Sequence, residues 1–232
     1  MTTKTETNDA LQWAVPESLA IPPDPLRARI DFHNQACTLT LFDGDVCKTK
    51  IVSAMEVAHA LAQELAISSG LLPEGALWWR NTKLGPMTAF YEKPKLWRLA
   101  LQEKALTAPR RFFIPLPGFI FLCMPGRAPW VYAIKSRPRA LTDKVFHAPL
   151  YNVHENGSTC AGNHKYPQRV DLIIDSFFRS FFNREDEHAG RRSKKNQVLA
   201  KLWESLEGQK KYPLDDLIEF GTVRDLVEME MP

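Results

Sequence analysis

Apolar and polar side chains alternate through Ala28-Arg29-Ile30-Asp31-Phe32-His33, and a period of two predicts a half-buried strand. Cys37 to Phe42 and Val46 to Val52 read the same way. The Asp43-Gly44 turn signal between them predicts a hairpin. The period then lengthens. Ala54, Val57, Ala58, Leu61, Ala62 and Leu65 recur at helical spacing, with Ser53 placed to cap the start and Gly70 past the end. From Ala76 to about Lys135 the pattern returns to strands, predicted over residues 76–80, 87–92, 96–101, 119–124 and 130–135. Pro125-Gly126-Arg127 turns the last pair. Prolines at 86, 94, 109, 115 and 117 cut this block into short pieces, as in a twisted antiparallel meander. Val170, Ile173, Ile174, Phe177, Phe178 and Phe181 form a second helical stripe, backed by Asp171, Asp175 and Arg179 on the polar face. A final helix is expected over 194–206 and a short one over 214–220. Strands followed by helices, with few β-α alternations, predict an α+β fold.

Composition narrows the classes. Of 232 residues, 44% are hydrophobic and 25% charged, enough for a core without disulfide staples. The four cysteines, Cys37, Cys47, Cys123 and Cys160, show no CxxC spacing, so neither a zinc site nor a disulfide framework is expected. Cys37, Cys47 and Cys123 lie in strand-like apolar runs and read as reduced core thiols of a cytoplasmic protein. No apolar run reaches the roughly 20 residues of a membrane span, and the polar N-terminus has no signal-peptide core. A net charge of +3 does not call for nucleic acid, and basic residues do not interleave regularly with the dense aromatics between Trp78 and Phe113, so these read as sheet core. The basic run Arg191-Arg192-Ser193-Lys194-Lys195 reads as a solvated loop or helix start. The expected organisation is an N-terminal tail (1–25), a hairpin-and-helix extension (26–70), a core (71–190) and a C-terminal helical extension (191–232).

Chemistry concentrates in Tyr151-Asn152-Val153-His154-Glu155-Asn156-Gly157-Ser158-Thr159-Cys160. An asparagine stands eight residues ahead of a cysteine, with a turn-forming Asn-Gly between them. A thiol takes an acyl group, and an amide N–H steadies the oxyanion that forms, so these two groups suit acyl-thioester chemistry. Activation of the thiol calls for a base or a polarised setting, and His147, His154 and His164 are all near in sequence. Asn152 also suits the capping of a turn, and a loop cysteine also suits a structural role.

These residues resemble a known family. In ubiquitin-conjugating enzymes a β-meander leads to a His-Pro-Asn motif, a loop with an Asn-Gly turn, and the catalytic cysteine. Here Asn152 stands where the motif's asparagine falls, and Glu155-Asn156-Gly157 stands at the turn. The chain is more closely similar to bacterial relatives, the prokaryotic ubiquitin-conjugating-like family D, also called PRTRC system protein B. Four segments carry that likeness: Leu72-Pro73-Glu74-Gly75-Ala76-Leu77-Trp78-Trp79, Pro94-Lys95-Leu96-Trp97-Arg98, Trp130 to Lys135, and Phe178 to Asn183. Two departures stand out. Leu150 and Tyr151 replace the motif's histidine and proline, with His147 five residues before Asn152. Ala161-Gly162-Asn163-His164 replaces apolar residues common in eukaryotic members.

The resemblance implies a ubiquitin-conjugating-enzyme-like fold, an antiparallel meander with flanking helices. It implies a ubiquitin-like protein carried as a thioester on Cys160, with Asn152 at the oxyanion and His164 as a polar partner for the thiol or the incoming amine. A ThiF-type activating enzyme would load it, the acceptor is unspecified, and neither metal nor organic cofactor is needed. Two rival readings remain: an inactive scaffold binding a ubiquitin-like or ThiF-type partner, and a cysteine hydrolase pairing Cys160 with His164 or His147.

Overall fold

The computed structural model describes residues 28–34, 36–58, 71–82, 84–102, 107–183, 192–195 and 198–229. The chain divides into two compact units, Met1–Gly70 and Leu71–Pro232. In the first, β1 (Ala28–Phe32), β2 (Cys37–Asp43) and β3 (Val46–Val52) form an antiparallel sheet in that order. Gly44 turns β2 into β3 at φ 57°, a conformation that favours glycine. Helix begins at residue 54, and Ser53 caps it. The Ser53 N–H donates to Glu56 Oε2 at 2.7 Å, and the Glu56 N–H donates to Ser53 Oγ at 3.1 Å. Leu61, Ala62, Leu65 and Gly70, the rest of the expected helix, lie outside the described residues. Cys37, Val52 and Val57 form a small core with Ile30 and Leu39. Cys47 departs from expectation and is exposed, because β3 buries only Val52 at its end.

The second unit holds β4 (Ala76–Thr82), β5 (Gly85–Glu92), β6 (Lys95–Gln102), β7 (Arg110–Leu116), β8 (Gly118–Cys123), β9 (Trp130–Ile134) and β10 (Lys144–His147). After them come helix α1 (Ile173–Arg179), β11 (Phe181–Asn183), α2 (Leu199–Leu206), β12 (Glu219–Thr222) and α3 (Val223–Glu228). Six strands make the main sheet in the order β12-β10-β9-β8-β5-β4, all pairs antiparallel. The meander is interrupted once: β5 pairs directly with β8, while β6 and β7 form a hairpin in a second sheet ordered β11-β6-β7. Short β11 runs parallel to β6. The architecture is mainly antiparallel sheet with a few helices, an α+β fold.

Strand β8 shows why the chain folds this way. Gly118-Phe119-Ile120-Phe121-Leu122-Cys123 is apolar without alternation, and every residue is buried. Such a run needs cover on both faces of the sheet. Phe119 and Phe121 join a core with Phe177 and Phe178 of α1 on one face, and Ile120 and Leu122 join Met87, Tyr132, Val223 and Leu226 on the other. Arg80 of β4 donates to the carbonyls of Val227 and Met229, closing the C-terminal end of α3 with a cation.

Three expectations change. The stripe from Val170 to Phe181 is not one helix. A 3-10 turn covers Val170–Leu172, and α1 ends at Arg179, where the Ser180 backbone is extended and its hydroxyl donates to Phe177 O at 2.6 Å. Phe181 therefore starts β11. The expected 194–206 helix starts only at Leu199, because residues 193–195 are bound to buried Asp216 instead. Of the expected 214–220 helix only a 3-10 turn, Leu214–Asp216, is present, and β12 follows. Strand β7 had no expectation at all: Pro115 sits on it opposite Leu96. As the outer strand of its sheet, β7 accommodates a proline without losing a ladder bond.

Trp203 of α2 joins these layers. Its ring meets Phe112, Tyr151 and Phe182 edge-on at 5.4, 5.1 and 5.6 Å, and its Nε1–H donates to Pro149 O at 3.0 Å. Trp203→Ala removes a fully buried ring and orphans that carbonyl, so a loss of about 3–5 kcal/mol in urea unfolding is expected. Trp79→Ala, at a site 39% exposed, is expected to change stability by under about 0.5 kcal/mol.

Candidate functional site around Cys160

β10 ends at His147 and the chain leaves the sheet for a loop with no long ladder of its own. Asn152 adopts φ 60°, a left-handed conformation that asparagine tolerates better than most residues. The chain doubles back there. Val153 bridges Thr159, the Cys160 N–H donates to Asn152 O at 2.9 Å, and the His154 N–H donates to Ser158 O at 2.8 Å. Asn152 and Cys160 are thus neighbours across a miniature hairpin tipped by Glu155-Asn156-Gly157. Asn156 secures that tip, its Oδ1 accepting from the Ser158 N–H at 3.0 Å and the Ser158 hydroxyl at 2.7 Å.

The hairpin is tied down on every side. The Val131 N–H donates to Gly157 O at 2.8 Å, and the Tyr132 hydroxyl donates to Asn156 O at 2.6 Å. Burial drives the Tyr132 phenol well above its usual range, so it remains a donor. The Thr159 hydroxyl donates to Pro129 O at 2.7 Å. Beside it, burial raises Tyr166 to about 12, against an opposing hydrogen bond with Thr159. From later in the chain, Arg192 Nη2–H donates to Val153 O at 2.7 Å, and the Asn183 N–H of β11 donates to Asn152 Oδ1 at 3.0 Å. That last bond fixes which way the Asn152 amide is turned: its oxygen accepts, so its NH₂ is the group left to donate.

Cys160 is exposed, at the edge of a cleft of about 440 Å³ that Asn152 and His164 also line. The three residues singled out in the sequence therefore border one cavity. Gln102, Arg179 and Asn183 complete its polar wall. His164 Nε2 lies 2.8 Å from Ser176 Oγ on α1, and its ring meets Tyr166 edge-on at 4.8 Å. His147 is half-buried on another side of the loop, with Nδ1 3.0 Å from Arg192 Nη1 and its ring edge-on to Phe220.

Arg192 and Asn183 are the residues that sequence reasoning passed over. Arg192 sat in a basic run read as solvated, yet it is 2% exposed and Ser193 is 4% exposed. Asn183 was noted only as the end of a similar segment, and its role is a backbone N–H, which carries no side-chain signature. Among the described residues, no three His, Cys, Asp or Glu side chains come together to hold a metal ion. Among those residues, too, no helix is long and apolar enough to cross a membrane.

Gly157 is the tightest point of the loop. At φ 87°, a Cβ there would stand 2.3 Å from Tyr132 Cζ. Gly157→Ala is expected to cost about 1–3 kcal/mol in urea unfolding, through overpacking and left-handed strain. Gly162→Ala, at φ 51° with nothing within 4 Å of its Cβ, is expected to cost only the strain, about 1 kcal/mol.

No curated protein and no solved structure matches the chain. One family model does, that of prokaryotic E2 family D, E2 denoting the ubiquitin-conjugating type. Its match runs from residue 51 to residue 220, well over half of the chain, and takes in the cysteine hairpin together with α1, α2 and Asp216. The protein belongs to prokaryotic E2 family D.

Proposed function

We propose that the protein carries a ubiquitin-like modifier as a thioester on Cys160 and passes it to an acceptor. The observation that carries this reading is an exposed thiol held beside an asparagine at the edge of a polar cleft, in a chain of E2 type. The Cys160 sulfur attacks the modifier's thioester carbonyl on a ThiF-type activating enzyme. A new C–S bond forms, the old one breaks, and the Cys160 proton leaves with the departing thiol. An acceptor nitrogen then attacks the same carbonyl, and Cys160 leaves as a thiol while an amide bond remains.

Each cleft residue has a part in this scheme. The Asn152 NH₂ donates to the oxyanion of the tetrahedral intermediate, its oxygen being committed to Asn183. His164, bonded to Ser176, takes the proton of the attacking amine.

The test mixes the protein with its activating enzyme, ATP and the ubiquitin-like protein, followed by a gel run without reductant. A thiol-sensitive adduct that is absent in Cys160→Ala is the expected result. Failure to form it while the activating enzyme charges itself would leave a binding scaffold as the better description. Asn152→Asp separates chemistry from conformation, since aspartate tolerates φ 60° and keeps an oxygen to accept the Asn183 N–H while losing the NH₂. That variant is expected to load normally and to discharge about 10²-fold more slowly in single turnover, the usual effect of losing one oxyanion donor. Equal discharge rates would give Asn152 a purely structural role.

A further inference from the structure

Arg192 is a guanidinium only 2% exposed. It donates to a backbone carbonyl, Val153 O, at 2.7 Å and to an imidazole nitrogen, His147 Nδ1, at 3.0 Å. A buried charge is costly unless hydrogen-bonded, so what it bonds to is informative. Arginine only donates. His147 Nδ1 must therefore present its lone pair, the ring is neutral, and its proton sits on Nε2. That proton faces the Glu155 backbone. The pair thus grips the cysteine hairpin on one arm, at Val153. Val153 also bridges Thr159, and the next bond along joins Cys160 N–H to Asn152 O.

The grip has a fixed base. Ser193 Oγ–H donates to Asp216 Oδ2 at 2.5 Å, the Lys195 N–H donates to Asp216 Oδ1 at 2.8 Å, and the Lys194 N–H donates to Asp216 O at 3.0 Å. Asp216 is fully buried. The segment that delivers Arg192 is thereby fastened immediately after it.

We infer that Arg192, acting with neutral His147, is a positioning residue that holds the Asn152–Cys160 pair in register. The consequence for the reaction rests on the thioester reading above; the consequence for the loop does not. Protonation of His147 would place an N–H against the guanidinium and add a second positive charge, so the grip loosens in acid. The charged groups facing the ring are Arg192 and Glu155. Burial and then Arg192 lower the His147 pKa, while the Glu155 carboxylate and the bond to its backbone oppose them. A lowered folded pKa means the grip is complete above the ordinary histidine value and is lost as pH falls through the folded one.

The experiment measures amide hydrogen-exchange protection of Gly157 and Cys160 between about pH 5 and pH 8, corrected for intrinsic rates. Wild type, Arg192→Met, Arg192→Lys and His147→Gln are compared. Glutamine supplies an acceptor and a donor but no titration. Arg192→Met is expected to lose protection at both amides on the order of tenfold at neutral pH, as for one hydrogen bond to a charged group. Arg192→Lys loses a comparable amount, since one ammonium replaces a two-pronged fork. Wild type is expected to lose protection in acid, whereas His147→Gln keeps most of it throughout. Where Arg192→Met does not fold, the wild type and His147→Gln pH profiles decide alone.

Unchanged protection in folded Arg192→Met, or identical pH profiles for wild type and His147→Gln, would overturn the inference. These readouts need no partner protein. If they behave as expected but wild type forms no thioester, the carrier reading fails and the positioning role stands. If wild type forms the thioester and Arg192→Met discharges it at the same rate, the positioning role fails for catalysis while the carrier reading stands.

Discussion

A backbone carbonyl removed from water needs a donor, and the loop that carries Cys160 has only a few bonds of its own to offer. The remaining acceptors are answered from elsewhere. Trp203 reaches Pro149 O, Arg192 reaches Val153 O, and Tyr132 reaches Asn156 O. Three side chains from three parts of the fold thus determine the course of one irregular segment. The loop's backbone is held from several sides, and a residue in left-handed conformation persists there among those bonds.

This requirement accounts for features that otherwise look unrelated. The main sheet is covered by helices on both faces, and α2, which shares a core with α1, sends Trp203 into the loop. β11 is only three residues long and pairs in parallel with β6, yet its last N–H orients the Asn152 amide. A carboxylate with no exposure, Asp216, does not line the cleft; its work is to fix the irregular segment that bears Arg192. The polar residues of the interior form a relay of supports leading to one small hairpin.

Local pattern was readable where local forces decide the outcome. The first three strands, the Ser53 cap, the Asn-Gly turn and the face of α1 follow from spacing and turn chemistry, and each is where the sequence puts it. Cys160, Asn152 and His164 could be named because thiols and amides advertise their chemistry by residue type. What escaped was decided by partners distant in sequence. Phe181 continues a helical stripe yet starts a strand, since β6 offers an edge to pair with. Arg192 looks solvated in a run of cations, and Val153, His147 and the Asp216 anchor make its burial intelligible. Cys47 sits in a strand whose outer face nothing covers, a fact that alternation alone does not disclose.

Several supports of the loop come after it in the chain. Asn183, Arg192, Trp203 and Asp216 all follow Cys160, so a ribosome delivers the thiol before the groups that shape its surroundings. During synthesis the cysteine is an ordinary exposed thiol on an unformed turn. Its geometry arrives with the final segment, and a chain cut short after α1 would keep the nucleophile and lose the site. Order of emergence thereby separates possession of a reactive atom from the ability to use it.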